Sequence, residues 1–439
     1  MVMTISRDGH LLESELTNIV PKERYVSQEF FDLEMEKLWP YVWQMACREE
    51  EVRNVGDFLE YVIGDQSILV VRSTPSTIKA FYNTCSHRGT RLANGVGNFA
   101  TSQIRCRYHA WRWDLEGTNI EVVDRFDFPP MTDDDVRLSE IKVGRWGGFV
   151  FINMDPDAEP LLDFLHPLPT LLAPYRFEQL RFRSYRTTIL PANWKIVIDA
   201  FNEGYHVQGT HPQLLMWTDD TTMNYEQFGN HARMGGGPRK TDVHPSPRLG
   251  LQPGEWDERE LLALMMQELS GLFYKDELKA VEELKTKPLP EGQSVMDAYN
   301  EIRLRMLRRK GIDLSGLTED QLLQGDDCYY FPNVVGPIYP GSTTLFRVRP
   351  NGLDPGSTIK DLWTLEWPGE GEDREMCERK FYPDWSAKDW GLVTNQDYAN
   401  VGHVHAGMKS RGCKGLKFNP RQESNVLHMH RIIDRFLTR

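Results

Sequence analysis

Cysteine, long apolar runs and basic charge are all scarce in this chain of 439 residues. Its 6 cysteines are too few and too scattered for a disulfide framework. Any cysteine with a functional role is therefore expected to bind a metal or to take part in redox chemistry. The longest nearly uncharged apolar stretch, near 146–154, is far below the roughly 18 residues that suggest a membrane span. The N-terminus has acidic residues where a secretory signal needs an apolar run. We therefore expect a cytoplasmic protein without a membrane partner.

The shortage of basic residues leaves a formal net charge of -13 at pH 7. Such a charge repels nucleic acids and anionic lipids, so we expect no nucleic-acid partner. The hydrophobic content of 40% is that of a globular protein, and the chain is long enough for two or three cores. A small molecule is the expected ligand.

The composition changes along the chain and divides it into three parts. Residues 1–42 have the spacing of a helical segment, which we expect to pack on the last domain. Residues 43–155 contain short β-rich runs separated by turn residues, which predict a small all-β domain. Residues 156–439 carry strands and helices in separate blocks, so the predicted fold class is α+β.

Two short loops of the predicted β domain each contain one cysteine and one histidine. Cys85 and His87 lie in "CSHRG", and Cys106 and His109 lie in "CRYHAW". Zinc fingers usually pair like residues, whereas one cysteine and one histidine from each loop suits a Rieske [2Fe–2S] cluster. A zinc site and coincidental core residues are the alternatives.

A second group of ionisable residues follows a predicted helix that starts at Asn193. The helix is apolar nearly all round and therefore buried, yet Asp199, Glu203 and His206 fall at i, i+4 and i+7 along it. Buried charges need a partner or a metal ion. We expect one stripe of these three side chains on one helix.

His211 lies five residues after His206, which on a regular helix would turn it away from that stripe. We therefore expect a break at Gly209, so that both imidazoles face one point. Two histidines and one carboxylate form the facial triad of non-haem Fe(II) oxygenases. The carboxylate could be Glu203, Asp199 or the distant Asp397, and spacing alone does not decide between them. Satisfied core polar residues are the alternative explanation.

Together, the motifs "NTCSHRG", "CRYHAWRWDLEG", "NWKIVIDAFNEGYH", "YFPN" and "RVRPNG" make the chain resemble the oxygenase component (α subunit) of Rieske non-haem iron aromatic-ring-hydroxylating oxygenases. The resemblance covers nearly the whole length. It implies an all-β Rieske [2Fe–2S] domain inserted in a helix-grip (START-like) catalytic domain of antiparallel sheet and helices. Under this resemblance, 43–155 is the Rieske domain and 156–439 the catalytic domain.

The resemblance also implies roles for individual residues. The implied cluster ligands are Cys85, His87, Cys106 and His109. The implied ligands of mononuclear Fe(II) are His206, His211 and Asp397. Glu203 is similar to the residue that bridges a cluster histidine of a neighbouring subunit to an iron histidine, with Asp199 a further catalytic candidate.

The implied assembly is a head-to-tail ring, either a homotrimer or a trimer with a small β subunit. The implied partners are O2 and an NAD(P)H reductase, with or without a ferredoxin. The chain departs from the family pattern where Arg107 and Ala110 replace the usual Pro and Gly, and where Glu203 replaces Asp. None of these departures removes a ligand.

The residues that flank the iron motif are mostly apolar, which favours an aromatic or otherwise hydrophobic substrate. The candidate pocket residues are Phe201, Asn202, Val207, Gln208, Leu214, Leu215 and Trp217. The expected reaction is hydroxylation, as in aromatic hydrocarbon catabolism, and the alternative is a monooxygenase that carries out oxidative N- or O-dealkylation. A Rieske electron carrier or a zinc-stabilised binding module is the non-enzymatic alternative.

Overall fold

The computed structural model describes residues 18–235, 243–323, 325–372 and 374–439. The part of the predicted N-terminal segment before residue 18 lies outside these ranges. The chain divides into a smaller unit, Leu33–Phe164, and a larger unit formed by the residues up to Asp32 and by Leu165–Arg439. The finer boundaries at 42/43 and 155/156 stay a prediction.

The strands alternate with turns in the first part of the chain and recur in blocks in the second. In chain order they are β1 (Ile19–Val20), β2 (Gln44–Arg48), β3 (Asp57–Ile63), β4 (Gln66–Arg72), β5 (Ile78–Tyr82), β6 (Val96–Asn98), β7 (Gln103–Arg105), β8 (Arg112–Asp114), β9 (Asn119–Glu121), β10 (Glu140–Trp146), β11 (Phe149–Asn153), β12 (Arg181–Leu190), β13 (Asn224–Phe228), β14 (His231–Gly235), β15 (Asp326–Tyr330), β16 (Val334–Tyr339), β17 (Ser342–Asn351), β18 (Asp354–Glu366), β19 (Arg379–Tyr382) and β20 (Leu416–Lys417).

The longer helices all come from segments with the expected helical spacing. In chain order the helices are α1 (Glu23–Val26), α2 (Gln28–Lys37), α3 (Leu161–Phe164), α4 (Leu168–Leu172), α5 (Trp194–Asp199), α6 (Val207–Thr210), α7 (Glu258–Glu268), α8 (Lys275–Leu284), α9 (Val295–Arg309), α10 (Glu319–Leu323), α11 (Leu392–Met408) and α12 (Ser424–Leu437). Among the described residues, no helix combines the length and the apolar character needed to cross a membrane.

Most of the regular secondary structure in the smaller unit is β-strand, as predicted. One sheet has the order β2-β11-β10-β5-β4-β3-β6, and a second has the order β7-β8-β9. Phe81, Ile104 and Trp113 lie in its buried core together with both cysteines of the paired motif. The core therefore supports the two loops that carry this motif.

The larger unit contains one eight-stranded sheet in the order β13-β14-β15-β16-β17-β18-β12-β19. Its neighbouring strands are antiparallel except for β12 and β19, which are parallel. Helix α5 contacts β17, β18 and α11, while α11 also contacts β12. The α+β class with an antiparallel sheet and helices is therefore confirmed. Helices α5 and α11 both pack against the sheet.

Candidate metal centres

The two loops with the Cys-x-His and Cys-x-x-His motifs follow β5 and β7 as tight turns. In the first, the N–H of Gly89 donates to the carbonyl of Cys85, and in the second the N–H of Ala110 donates to the carbonyl of Cys106. These turns bring the rings of His87 and His109 to 4.6 Å between centroids. Each loop thus presents one sulfur and one imidazole, and the two imidazoles meet.

Backbone N–H groups in these loops point at the sulfur atoms. Burial alone raises the pKa of the Cys106 thiol, but the N–H groups of Tyr108 and His109 lower it below its usual value. The N–H of Tyr108 lies 3.4 Å from Cys106 Sγ. N–H donors of this kind stabilise a thiolate and therefore suit a metal-bound sulfur.

The imidazole of His87 is held by ring stacking, but its Nδ1 atom has no hydrogen-bond partner among the described residues. Its ring stacks on Trp111 at 4.7 Å between centroids with an interplanar angle of 10°. Its Nδ1 atom is buried and has no hydrogen-bond partner among the described residues. A buried nitrogen without a partner, beside two thiols and a second imidazole, fits the Cys2His2 ligand set of a Rieske cluster.

Ala110 occupies a backbone position that favours glycine. Its φ is +61°, in the left-handed region. The turn still forms around Cys106, and both sulfur-directed N–H groups are kept. The replacement of glycine therefore leaves the loop geometry intact, at the conformational cost of a left-handed alanine.

The predicted continuous helix after Asn193 is wrong in its extent. Asn193 does cap α5, because its side chain accepts the N–H of Lys195, but α5 ends at Asp199. Glu203 and His206 lie in the following turn, so they do not share a helical stripe with Asp199. Glu203 Oε2 accepts the backbone N–H groups of Tyr205 and His206, which stabilises this turn in place of helical hydrogen bonds.

The expected break at Gly209 is wrong for the same reason. The chain has already left α5 when it reaches His206, and Gly209 lies inside the short helix α6. That helix ends at His211, whose φ of -126° and ψ of 52° are not helical. The two histidines therefore flank α6, one at each end, and converge without a break between them.

His206, His211 and Asp397 form the one group among the described residues whose ligand atoms lie close enough together for a single metal ion. Their ligand atoms all lie within 4.8 Å of one another. Asp397 Oδ1 is 2.8 Å from His211 Nε2 and 3.6 Å from His206 Nε2. Donor atoms at roughly 2.1 Å from a single ion lie about 3–4.2 Å apart, so the three side chains fit one metal ion after small adjustments of their separations.

Each imidazole is oriented through its other nitrogen. His206 Nδ1 lies 2.6 Å from Glu203 Oε1, and His211 Nδ1 lies 2.8 Å from Gln396 Oε1. Both acceptors require a proton on Nδ1, which leaves the two Nε2 atoms, both facing Asp397, as the positions that would bind a metal ion. This arrangement of outer partners is typical of metal-ligating histidines.

The charge balance of the group also fits a cation. Burial alone lowers the pKa of His206, but the carboxylates of Glu203 and Asp397 more than reverse this and raise it to about 10. Burial raises the pKa of Asp397, but hydrogen bonds from His206 and His211 bring it below its usual value. The site therefore stabilises positive charge, which a divalent metal ion can supply in place of a proton.

Asp199 lies apart from the three convergent ligands. Its Oδ2 accepts a hydrogen bond of 2.7 Å from Tyr25 Oη, which also lies 2.7 Å from His430 Nε2. Burial and the nearby charge of Glu203 raise the pKa of Asp199 well above its usual range, against the effect of the Tyr25 hydrogen bond. Of the three carboxylate candidates, only Asp397 joins both histidines.

The seven predicted pocket residues lie in different surroundings, and only four of them share one cluster. Val207, Leu214 and Leu215 are buried and pack with Trp217 in one apolar cluster. Phe201 instead packs against Phe346, with the tilted rings 4.3 Å apart between centroids. Asn202 is buried, whereas the side chain of Gln208 donates to the carbonyl of Tyr205.

Two polar residues near the centre were not predicted from the sequence. Gln396 directly precedes Asp397, but nothing in its local pattern marks it as the partner of His211. Lys360 lies on β18 with its Nζ 3.5 Å from the centroid of Phe201. The signal that could have found Lys360 is a lysine within a strand that is buried on both faces. Lysine is almost never fully buried unless it is paired, so such a residue is a candidate for a functional role.

Two family models match the chain. The model described as "Ring hydroxylating alpha subunit (catalytic domain)" matches residues 177–439, and that described as "Rieske [2Fe-2S] domain" matches residues 42–126. The first match covers more than half of the chain. Together the two matches contain all seven metal-ligand candidates.

Curated relatives include oxygenase subunits that act on quaternary ammonium compounds. The glycine betaine monooxygenase oxygenase subunit of Chromohalobacter salexigens is 27% identical over 407 residues, which span 91% of this chain and 80% of the relative. The carnitine monooxygenase oxygenase subunit of Escherichia coli is 36% identical over 200 residues, which span 44% of this chain and 52% of the relative. The second alignment therefore covers only about half of either protein.

A solved structure of naphthalene 1,2-dioxygenase from Rhodococcus sp., bound to indole, is similar over nearly the whole chain. Its TM-score is 0.65 at 19% sequence identity, and the match covers 95% of this chain and 94% of that one. At this identity the likeness shows the fold alone.

Proposed function

The chain belongs to the ring-hydroxylating alpha subunits and is a Rieske-type non-haem iron oxygenase, and we propose that it monooxygenates a small quaternary ammonium compound with loss of an N-alkyl group. The observation that supports an oxygenase site most directly is the convergence of His206, His211 and Asp397. The relatives with the names glycine betaine monooxygenase and carnitine monooxygenase support the substrate class. The proposed reaction is thus the dealkylation alternative, and the expected ring hydroxylation becomes the second candidate.

We propose that the convergent residues hold mononuclear Fe(II) and that the paired loops hold the [2Fe–2S] cluster. When bound, the iron supplies activation of O2 and the cluster supplies electrons for it. Glu203 and Gln396 fix the ring orientation of His206 and His211 through their Nδ1 protons. The buried carboxylate of Asp397 faces both Nε2 atoms and completes the ligand set.

We also propose that Glu203 connects two copies of the chain. In a head-to-tail ring, His109 of one copy would donate to Glu203 of the next, as the family resemblance implies. A trimer of this kind, with or without a small β subunit, would receive electrons from a separate NAD(P)H reductase, directly or through a ferredoxin. Glu203 already holds His206, so one more donor to its carboxylate completes the connection.

Hydroxylation of an aromatic ring is the second candidate function. It is supported by the apolar cluster of Val207, Leu214, Leu215 and Trp217 beside the histidines. An apolar wall of this kind suits a flat hydrocarbon as well as an N-methyl group. Product analysis distinguishes the two functions.

The test is turnover with ¹⁸O2, NADH and a reductase on carnitine, glycine betaine and anthranilate. We expect an aldehyde and a dealkylated amine from a quaternary ammonium substrate, whereas a labelled diol would favour the second candidate. His206→Ala should lose mononuclear iron and turnover but keep the visible spectrum of the cluster. His403→Ala, an exposed histidine on α11, is the matched control. Turnover retained by His206→Ala would contradict the iron site.

A further inference from the structure

Lys360 is a buried lysine without a counter-charge of its own. It lies on β18 with 1% of its surface exposed, and its Nζ has no hydrogen-bond partner among the described residues. Burial lowers its pKa well below the usual range, and the carboxylate of Asp397 opposes that effect. Asp397 is itself committed to His206 and His211. Lys360 therefore lies beside Tyr398, the neighbour of Asp397 in the chain, and its amine has no acceptor among the described residues.

The next residue on the same strand shows how this fold pairs a buried charge elsewhere. Asp361 is also 1% exposed, but it accepts hydrogen bonds from Arg347 at 2.8 Å and Arg349 at 3.1 Å. Thr187 donates a further bond of 2.6 Å. Successive strand residues face opposite sides of a sheet, so Lys360 faces away from these arginines. An unpaired buried charge is costly, and a purely structural lysine here would have no compensation of this kind.

Three aromatic rings surround the amine of Lys360. Its Nζ lies 3.5 Å from the centroid of Phe201, 4.3 Å from that of Phe346 and 4.6 Å from that of Tyr398. Such rings attract a cation, and cages of this type also bind quaternary ammonium ligands. Here the lysine fills the cage, so the ammonium group of a substrate cannot occupy it at the same time.

Two neighbouring residues of Lys360 also carry buried hydroxyl groups without partners in the described part of the chain. Thr188 is directly opposite Lys360 in the β12–β18 pair, and its side chain therefore lies on the same face of the sheet. Thr188 Oγ1 and Tyr398 Oη are buried and, like Lys360 Nζ, have no hydrogen-bond partner among the described residues. Tyr398 follows the iron-site carboxylate Asp397 in α11. Two hydroxyls and one amine that all lack acceptors are suited to an oxyanion.

We propose that Lys360 binds the carboxylate of the substrate, with the hydroxyls of Thr188 and Tyr398 as further donors. Phe201 is the half-buried ring of the three and borders the turn that carries His206, so the carboxylate would enter past it. The inference rests on the proposed function and narrows it. Among quaternary ammonium compounds, the enzyme selects those with a carboxylate and rejects simple cations.

The test is binding of matched acid and non-acid ligands to the full-length protein, measured by calorimetry without turnover. One pair is 4-(trimethylammonio)butanoate and its methyl ester, and the other is benzoate and benzamide. We expect an acid to bind about ten- to a hundredfold more tightly than its uncharged counterpart, since hydrogen bonds to charged groups have this magnitude. Lys360→Met, and Lys360→Gln if the first variant does not fold, should remove the difference.

Lys195→Met is the matched control. Lys195 is also fully buried, with its Nζ over the rings of Tyr25, Phe30 and Trp194, but it lies on α5 away from this cage. The control should keep the preference for the acid. If wild type prefers neither acid, or if Lys360→Met keeps the preference, the inference fails. Preference for benzoate alone would leave Lys360 as the anion site and contradict the quaternary ammonium proposal instead.

Discussion

Replacement of Glu203 by Gln should weaken iron binding and interrupt electron transfer without disturbing the cluster. Glu203 Oε1 lies 2.6 Å from His206 Nδ1, and its other oxygen accepts the backbone N–H of His206 at 3.1 Å. The amide keeps the shape and one acceptor but loses the charge. Loss of an outer partner of a metal-bound histidine typically lowers metal affinity about 10- to 100-fold, or about 1.4–2.7 kcal/mol.

Two measurements check this prediction. Anaerobic equilibrium dialysis gives the affinity for Fe(II), and the visible spectrum follows reoxidation of the reduced cluster by O2 in the presence of substrate. We expect weaker Fe(II) binding and slow reoxidation in Glu203→Gln. Glu423→Gln is the control, because burial and the charge of Glu203 raise the pKa of Glu423 to about 7, while its Oε2 accepts the backbone N–H of Asn419 and orients no imidazole. Wild-type Fe(II) affinity together with wild-type reoxidation in Glu203→Gln would refute the reasoning.

Three further predictions concern stability and the shape of the iron-site turn. Ala110→Gly should raise the free energy of unfolding of the smaller unit by up to about 1 kcal/mol in urea titrations, because φ is +61°; a decrease would contradict this. Burial and Lys409 lower the pKa of His405 to about 4, and its Nδ1 accepts a backbone N–H at the start of α5. Its stabilisation is present above about pH 6.5 and is lost as the pH falls through about 4, so unfolding of His405→Gln should depend less on pH in this window. Gly204→Ala, whose Cβ would lie 2.6 Å from Met223 Sδ, should lower Fe(II) affinity in dialysis, whereas Gly209→Ala, whose Cβ meets nothing within 4 Å, should not.

The paired cluster loops could be predicted from the sequence because their geometry is local. Cys85 and Cys106 each share a tight turn with a histidine, and spacing within a turn fixes which side chains meet. Asp397 could not be chosen in this way, because it lies 186 residues from His211 and only the packing of α11 brings them together. The family resemblance assigned it, and the geometry of the triad agrees.

The end of α5 was missed because helical periodicity describes side-chain faces and not competing hydrogen bonds. Asp199, Glu203 and His206 have helical spacing, yet the Glu203 carboxylate accepts two N–H groups that a longer helix would have used internally. Acidic residues often compete with the backbone in this way. The three residues therefore have helical spacing in the sequence but do not lie on one helix in the structure.

The same carboxylate performs two tasks, and this explains how glutamate can stand where aspartate is usual. One oxygen of Glu203 holds the turn through the N–H groups of Tyr205 and His206, and the other holds the imidazole of His206. The extra methylene lets a side chain at the start of the turn reach both the backbone and the ring three residues later. Glu203→Asp should then keep the charge but give up one of these contacts. Fe(II) affinity would fall if the ring contact is lost, and the free energy of unfolding would fall if the turn contact is lost, so measuring both quantities identifies the contact that depends on the longer side chain.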